Sequence, residues 1–188
     1  MLALIAKQAA WGQRSNRIGI LISSLYLVWG LGAQAYVTDI VEENLAGTVQ
    51  QKQVLVTAGP FNTLLWRVLV MQENGYREGF YSILDPDRSI SFTDYPNQTQ
   101  LLNQMTDHWP VERLKWFSKG FLKVKKDPNS DLLVSDLRMG VEPSYSFTFK
   151  VAEVVKDRIL PVRDQRIEIP HHPEQIENMM RRIISRNP

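Results

Sequence analysis

The most conspicuous feature of the hydrophobic pattern is an uncharged stretch from residue 18 to residue 37, which reads IGILISSLYLVWGLGAQAYV. A helix needs ~20 apolar residues to cross a ~30 Å hydrocarbon core, and this stretch has that length. Hydroxyl groups in such a helix bond back to its own carbonyls, so Ser23 and Ser24 are accommodated. The pattern therefore predicts a transmembrane helix over 18–37. The alternative is a helix buried in the interior of a soluble α+β protein.

The charges on either side of this stretch predict its orientation. Arg14 and Arg17 precede it, whereas Asp39, Glu42 and Glu43 follow it. An excess of Arg and Lys marks the cytoplasmic flank of a membrane helix. The stretch is also longer than the ~7 to 15 apolar residues of a signal peptide and is not followed by a small-x-small cleavage site. We therefore expect an uncleaved anchor with a cytoplasmic N-terminus and an extracytoplasmic C-terminal part.

The segments that flank the span divide the chain further. Residues 1–17 begin with MLALIAKQAAW, which is apolar but too short to cross a membrane alone. We interpret 1–17 as the end of a preceding membrane-proximal segment and expect the chain to be a fragment. After the span, apolar residues continue near helical spacing, which predicts a helical stalk over 38–52 that ends around Gly47 or Gln51. These residues are Val37, Ile40, Val41, Leu45 and Val49.

From residue 53 the period of the pattern changes from helical to two, which is typical of strands. Strands are predicted at 53–57 and 63–72, and Asn74-Gly75 predicts a two-residue type I′ turn, with positive φ at both positions, into a strand that starts at Tyr76. SISF at 89–92 is predicted as a third strand, before the polar stretch TDYPNQTQ. The strands on either side of the turn and SISF are expected to form a meander.

The remaining segments complete an α+β prediction for 53–188. They are short helices at 97–106 and 110–118, a hairpin formed by FLKVKK and LLVSDLRM, one long strand at 144–155, a loop or edge excursion at 156–170 and a helix from Pro173. In the last helix, an apolar stripe from Ile176 to Ile184 is expected to cover a sheet. The fold class is therefore one transmembrane helix followed by a mostly antiparallel sheet domain with two or three short helices.

Composition excludes several classes of function. The 22 basic and 20 acidic side chains leave a formal charge of +2, which is too balanced for the continuous positive surface that nucleic-acid binding requires. The chain contains no cysteine, so it forms no disulfide, thiolate zinc site or cysteine nucleophile. No nucleic-acid partner is expected.

Motifs for catalysis are also missing from the sequence. Its three histidines, His108, His171 and His172, do not occur in HExxH or HxxxH spacing, and we interpret them as residues at helix entries. Phosphate-binding strings such as GxGxxG and GxxxxGK[ST], and the nucleophile string GxSxG, do not occur. We therefore predict no catalytic residue and no metal ligand in this chain.

Two segments contain polar side chains that the packing of a strand does not require. In GPFNTLLWR at 59–67, Arg67 lies on the opposite strand face from Trp66. In SDLRMG at 135–140, Asp136 and Arg138 are two residues apart on a strand and share a face. They either form an ion pair that fixes a strand end or present a carboxylate and a guanidinium to a ligand. The sequence leaves both interpretations open.

An ordered set of segments resembles the C-terminal half of the bacterial inner-membrane family of membrane-bound metal-dependent hydrolases, the YdjM/YbcI-like group. The set is GPFNTLLWRVLV, GYREGFYSILD, VERLKWFSKGFLKV, LLVSDLRMG and PSYSFTFKVAE, and the similarity runs from about residue 17 to residue 155. The resemblance implies a multi-pass protein whose hydrolase chemistry depends on histidine motifs in its N-terminal membrane region, and those motifs are not in this chain. The family-typical positions here are Asn62, Trp66, Arg67, Asp136, Arg138 and Gly140.

The expected function is that of the C-terminal anchor and periplasmic domain of such a hydrolase in the bacterial inner membrane. Its partners are then the lipid bilayer and the missing N-terminal membrane region, where a divalent metal would bind, and this chain alone is expected to be inactive. The alternative is a membrane-anchored periplasmic sensor or partner-binding domain without catalysis. In that case Arg67, Asp136 and Arg138 line its recognition surface, and Asn62 and Trp66 are further candidate binding residues.

Overall fold

The computed structural model describes residues 2–47, 53–60, 62–105, 107–156, 158–167 and 173–185. A long helix is followed by antiparallel sheets and short helices, which confirms the predicted α+β class. The helices are α1 (Leu2–Leu45), α2 (Trp109–Ser118) and α3 (Pro173–Ile184), with a 3₁₀ helix at Thr99–Met105. The strands are β1 (Val54–Ala58), β2 (Leu65–Gln72), β3 (Gly75–Ser82), β4 (Phe92–Pro96), β5 (Leu122–Lys126), β6 (Asp131–Asp136), β7 (Gly140–Val141), β8 (Ser144–Tyr145), β9 (Thr148–Val155) and β10 (Arg158–Ile167).

Helix α1 has two parts with different surroundings. From Ile18 to Leu31 its large apolar side chains are exposed, and the helix is long and apolar enough to span a membrane. Its C-terminal part packs against the first sheet through the buried residues Ala33, Val37, Ile40, Val41 and Leu45. The helical part of the predicted stalk therefore ends at Leu45 and lies against the domain, while residues 48–52 lie outside the described residues.

The first sheet is an antiparallel meander with the strand order β1-β2-β3-β4. Trp66, Val68 and Val70 of β2 face α1 and form a core with it, as the alternation of the sequence predicts. The other face of β2 is also buried, because Leu65 and Leu69 are covered as well. Strand β2 is therefore enclosed on both sides.

The hairpin between β2 and β3 is present, but its predicted turn residues are wrong by one position. Gln72 pairs with Gly75, so Glu73 and Asn74 form the turn, and neither Asn74 nor Gly75 has a positive φ. A Cβ atom on Gly75 would lie 2.7 Å from the carbonyl oxygen of Tyr95. This glycine is required by the close approach of β4 rather than by the turn.

The strand predicted at 89–92 is also displaced. The structure places β4 at Phe92–Pro96, and Ile90 is a buried residue of the preceding loop. Strand β4 lies at the edge of the sheet and pairs only with β3, so its polar side chains Thr93 and Asp94 stay in water. An edge position explains why a polar segment forms this strand.

The second sheet has the order β10-β9-β6-β5, and its β5–β6 hairpin confirms the prediction. The single strand predicted over 144–155 is wrong, because it is divided into β8 and β9. Between them the amide of Ser146 donates to Met139 and the carbonyl of Phe147 accepts from Asp136, so these groups bond to the 136–139 turn. Thr148 consequently lies on the buried side, where its hydroxyl bonds to Ser135 at 2.8 Å.

Short helices cover the two sheets. The 3₁₀ helix and α2 pack on the second sheet through Leu102, Met105 and Val111. Helix α3 begins at Pro173 as predicted and lies against β2 and β3. Its apolar stripe covers the sheet only in part, because Met180 and Ile184 remain exposed. The predicted 156–170 excursion contains the edge strand β10.

Candidate functional site

The two sheets meet at a cluster of polar side chains around Arg67. Arg67 extends from the face of β2 opposite Trp66 and is 4% exposed. Its Nε donates to Oε1 of Glu78 on β3 at 2.5 Å, and Glu78 is equally enclosed. An ion pair in a dry interior is costly to separate, because each partner alone is an uncompensated charge.

Arg67 also reaches the second sheet. Its Nη1 donates to the carbonyl oxygen of Leu137 at 2.6 Å, and its guanidinium lies 5.9 Å from the ring centre of Tyr145. The Nη2 atom is buried and has no hydrogen-bond partner among the described residues. Arg67 is therefore a bridge between the sheets with one nitrogen unpaired.

A second group of polar side chains lies beside this bridge. The hydroxyl of Tyr76 donates to the carboxylate of Glu142 and lies 3.2 Å from the hydroxyl of Tyr145. Lys123 forms an ion pair with the same carboxylate of Glu142. Burial, followed by the neighbouring Tyr145 and the hydrogen bond to Glu142, raises the pKa of Tyr76 well above its usual range. Burial likewise raises the pKa of Tyr145, so both phenols stay protonated.

Asp136 and Arg138 form an ion pair with each other, which is one of the two arrangements that the sequence leaves open. Oδ1 of Asp136 accepts from Nε of Arg138 at 3.0 Å, and Oδ2 accepts from its Nη2 at 2.6 Å. The Asp136 side chain is buried, whereas Arg138 is partly exposed and stacks over Phe117 at 5.1 Å. The hydrogen bond from Arg138 to Asp136 raises the pKa of Arg138. The bidentate geometry fixes the end of β6.

Asn62 shapes the loop between β1 and β2. Its Oδ1 accepts from the amides of Leu64 and Leu65 at 3.0 and 2.7 Å, and its Nδ2 donates to the carbonyl of Pro60 at 3.0 Å. These bonds satisfy loop amides that would otherwise lack partners, as an Asx turn does. Trp66 donates from its indole to the carbonyl of Thr63 at 3.0 Å, and its ring lies in the core against α1.

The structure brings only some of the predicted site residues together. The carbonyl of Leu137 accepts a hydrogen bond from Arg67. Leu137 lies between Asp136 and Arg138 in the sequence, so Arg67 is a neighbour of both. Their charged groups nevertheless form separate pairs, Arg67 with Glu78 and Arg138 with Asp136. Asn62 and Trp66 lie in and beside the β1–β2 loop.

Sequence reasoning missed the partners of Arg67 and of the tyrosines. Glu78 lies in YREGF, where a polar residue on a hairpin strand suggests a solvent-facing position. Glu142 and Lys123 are remote in sequence from Tyr76, which they meet only because the two sheets pack together. One signal could have indicated the Arg67–Glu78 pair. It is the presence of a basic residue and an acidic residue on neighbouring strands of one hairpin.

Histidine and carboxylate side chains do not assemble a metal site in the described ranges, where no group of three comes close enough to hold an ion. His108 precedes α2 as predicted, and its Nε2 is buried without a partner in the described structure. His171 and His172 lie outside the described residues. An open groove of about 370 Å³ passes Glu73 and Lys115, and its lining does not include the predicted site residues.

Comparisons of the chain with protein-family models, with curated proteins and with solved structures give no match. The functional interpretation therefore rests on the residues and contacts of this chain. They describe an apolar helix joined to a domain in which the buried charged side chains Arg67, Glu78 and Asp136 each form an ion pair.

Proposed function

We propose that this chain is the membrane anchor and periplasmic domain of a bacterial inner-membrane metal-dependent hydrolase. In this role it holds a folded domain at the outer face of the inner membrane and contributes assembly or substrate access. The catalytic histidines and their divalent metal belong to a membrane region outside this chain.

The observation that carries the proposal is the continuity of α1. Its exposed apolar part from Ile18 to Leu31 has the surface of a lipid-facing helix, and its last turns are core residues of the domain. The helix thus joins the domain to the bilayer without a flexible linker. Arg14 and Arg17 precede the apolar part, which supports a cytoplasmic N-terminus.

Membrane fractionation and cysteine labelling test the anchor and its orientation. We expect the chain to resist extraction from bacterial membranes by alkaline carbonate. Because the chain has no cysteine, Asn129→Cys and Gln13→Cys each create a single thiol and leave the flanking arginines in place. A membrane-impermeant maleimide added to spheroplasts should label the first directly and the second only after lysis. Recovery of the chain in the soluble fraction, or the reverse labelling, would overturn the proposal.

The hydrolase assignment has separate tests. We expect the genomic reading frame upstream of Met1 to encode further hydrophobic spans and a histidine motif, and a frame without them would contradict the assignment. We also expect the purified full chain in detergent, supplied with divalent metal, to hydrolyse neither model esters nor phosphodiesters. Hydrolysis that a chelator abolishes would show that this chain carries the catalytic groups itself.

One observation favours the alternative of a ligand-binding domain without catalysis. The buried Nη2 of Arg67 has no partner among the described residues and is a free donor for an anionic or carbonyl group. If a ligand uses this donor, phosphate or a dicarboxylate at constant ionic strength should raise the melting temperature of the full chain. The same measurement on Arg138→Gln separates binding at Arg67 from binding at the more exposed guanidinium. Equal melting temperatures in all salts favour the anchor role alone.

A further inference from the structure

The contacts of α1 identify the end of the domain that is nearest the membrane. Trp29 lies inside the apolar stretch, and its Nε1 donates to Oγ1 of Thr63 in the β1–β2 loop at 3.0 Å. Further along the helix, Leu45 lines one groove together with Val54 and Val56 of β1. Strand β1 therefore runs back along α1 toward the bilayer. The β1–β2 loop is the proximal end of the domain, and the β2–β3 turn is the distal end.

If α1 spans the membrane as proposed, its length makes this proximal end overlap the bilayer. The rise of about 1.5 Å per residue gives about 17 Å from Ile18 to Trp29, against about 30 Å of hydrocarbon. Even when Arg14 marks the inner interface, the helix covers only about 22 Å before it reaches Trp29. The contact between Trp29 and Thr63 therefore lies at a depth where lipid still surrounds the helix.

The surface next to this contact is apolar. The amide of Ile83 donates to the carbonyl of Leu64 at 2.8 Å, which holds the segment after β3 beside the β1–β2 loop. Leu84 follows and is 57% exposed. The hydroxyl of Ser82 donates to the carbonyl of Ile183 at 2.7 Å, which holds the end of α3 at the same place. These bonds place the exposed side chain of Leu84 and the end of α3 together at the proximal end of the domain.

Helix α3 has the distribution of polar and apolar residues that suits a membrane surface. Met180 and Ile184, one turn apart, are 47% and 82% exposed. Arg181 and Glu177 form an exposed ion pair on the same face of the helix, because residues at i, i+3, i+4 and i+7 lie on one side. Arg182 is bound to Asp85 and to the carbonyl of Phe80, which fixes the helix on the domain. At a membrane surface this face would place Met180 and Ile184 in the interface and the paired charges of Glu177 and Arg181 among the headgroups.

We infer that the proximal surface, defined as Leu84 with Met180 and Ile184 of α3, is inserted into the headgroup and outer acyl region of the bilayer. The domain then has two attachments, the spanning helix and this surface. The inference rests on the proposed function in one respect, since it requires that α1 spans the membrane. The proposed occupant is lipid because Trp29 of the apolar helix contacts Thr63 in the β1–β2 loop, and the bond between Leu64 and Ile83 holds the segment of Leu84 beside that loop.

Depth-dependent fluorescence quenching in the full chain tests the inference. Because the native chain has no cysteine, Leu84→Cys, Ile184→Cys, Ile22→Cys and Glu73→Cys each carry one environment-sensitive fluorophore. All four side chains are exposed, so labelling leaves the core unchanged. The labelled chains are reconstituted in vesicles of phosphatidylethanolamine and phosphatidylglycerol that contain lipids brominated at shallow or deep positions. Iodide in the buffer measures exposure to water.

We expect shallow brominated lipids to quench the labels at 84 and 184 several-fold more than the label at 73, which lies in the distal turn. Quenching at 22 by deep brominated lipids shows separately that α1 spans. If 22 is quenched but 84 and 184 are quenched by iodide instead, the proximal surface lies in water and the inference is wrong while the anchor stands. If neither lipid nor iodide quenches 84 and 184, a protein surface covers them, which also overturns it. If 22 escapes lipid quenching, the proposed anchor itself fails.

Discussion

The guanidinium of Arg67 in the first sheet donates a 2.6 Å hydrogen bond to the carbonyl oxygen of Leu137, which directly follows β6 of the second sheet. The two residues are 70 positions apart, and their contact places a paired charge at the junction of the sheets. The adjoining apolar residues Leu69, Tyr76 and Tyr145 form a core cluster with Leu137. The relative position of the sheets therefore depends on both a polar bridge and a small apolar core.

Removing the charge of Arg67 should destabilise the domain strongly. Arg67→Met leaves Glu78 buried without its partner, and breaking such a pair costs about 3–5 kcal/mol. The free energy of unfolding, measured by urea titration of the full chain in detergent with tryptophan fluorescence, should fall by this amount.

The double variant Arg67→Met/Glu78→Leu is the matched control for this prediction. It removes both charges, so we expect it to recover most of the loss, although the carbonyl of Leu137 still lacks its donor. A double variant that is less stable than either single variant would show that the ion pair itself, and not the isolated charge, determines the effect.

Stability should decline in alkaline solution because two buried phenols resist ionisation. The pKa values of Tyr76 and Tyr145 are raised above their ordinary value of 10.0, with burial as the largest cause. Above about pH 10 the unfolded chain loses these protons and the folded chain keeps them, so unfolding becomes more favourable by about 1.4 kcal/mol per pH unit for each group. Below about pH 10 the two phenols are protonated in both the folded and the unfolded chain, so they do not make the free energy of unfolding depend on pH.

Tyr145→Phe isolates this contribution. Urea titrations between about pH 8 and pH 11 should show a shallower decline than in the native chain, with a difference of about 1.4 kcal/mol per pH unit above about pH 10. Equal slopes in the two chains would mean that the hydroxyl of Tyr145 titrates normally in the folded domain.

Asn62 should respond to substitution as a loop-forming residue. Asn62→Ala removes the acceptor for the amides of Leu64 and Leu65, and we expect a loss of about 1–2 kcal/mol in unfolding free energy. Asn62→Asp keeps that acceptor and loses only the donation to Pro60, so it should retain most of the stability. The measurement is the same urea titration. If Asn62→Ala has the same unfolding free energy as the native chain, the side chain of Asn62 does not stabilise the loop.

Gly140 should tolerate no side chain. Its φ is 129°, and a Cβ atom would collide with the carbonyl oxygen of Ser144, which is backbone and has little freedom to move. Gly140→Ala should lower the unfolding free energy by about 1–3 kcal/mol or more. Gly32→Ala is the control, because a Cβ atom added at Gly32 would have no neighbouring atom within 4 Å. Thermal unfolding of both variants by circular dichroism compares them, and equal melting temperatures would contradict the prediction.

Local patterns predicted the elements better than the contacts between them. The alternation in β2 correctly separated Trp66 from Arg67, because side chains on a strand point to opposite faces in turn. It did not reveal that the Arg67 face is buried too, since the covering residue Leu137 follows a strand of the other sheet. Long-range packing of this kind leaves no period in the sequence.

The wrong predictions of local structure have similar causes. Gly75 follows Asn74, which favours a type I′ turn, yet its lack of a Cβ serves the approach of Tyr95 from β4. In an unbroken strand the alternation would place Thr148 on the outward face. The bonds of Ser146 and Phe147 to the 136–139 turn divide that strand instead. In both cases a contact from elsewhere in the chain changes the local preference.

If α1 spans the membrane as proposed, the unbroken helix from Ile18 to Leu45 couples the tilt of the span to the position of the domain. A change of about 20° in helix tilt, which is within the range that membrane helices adopt, would displace a point about 30 Å along the axis by about 10 Å. In that case thinning or thickening of the lipid would tilt the helix and move the domain, and the second attachment at the proximal surface would oppose this movement.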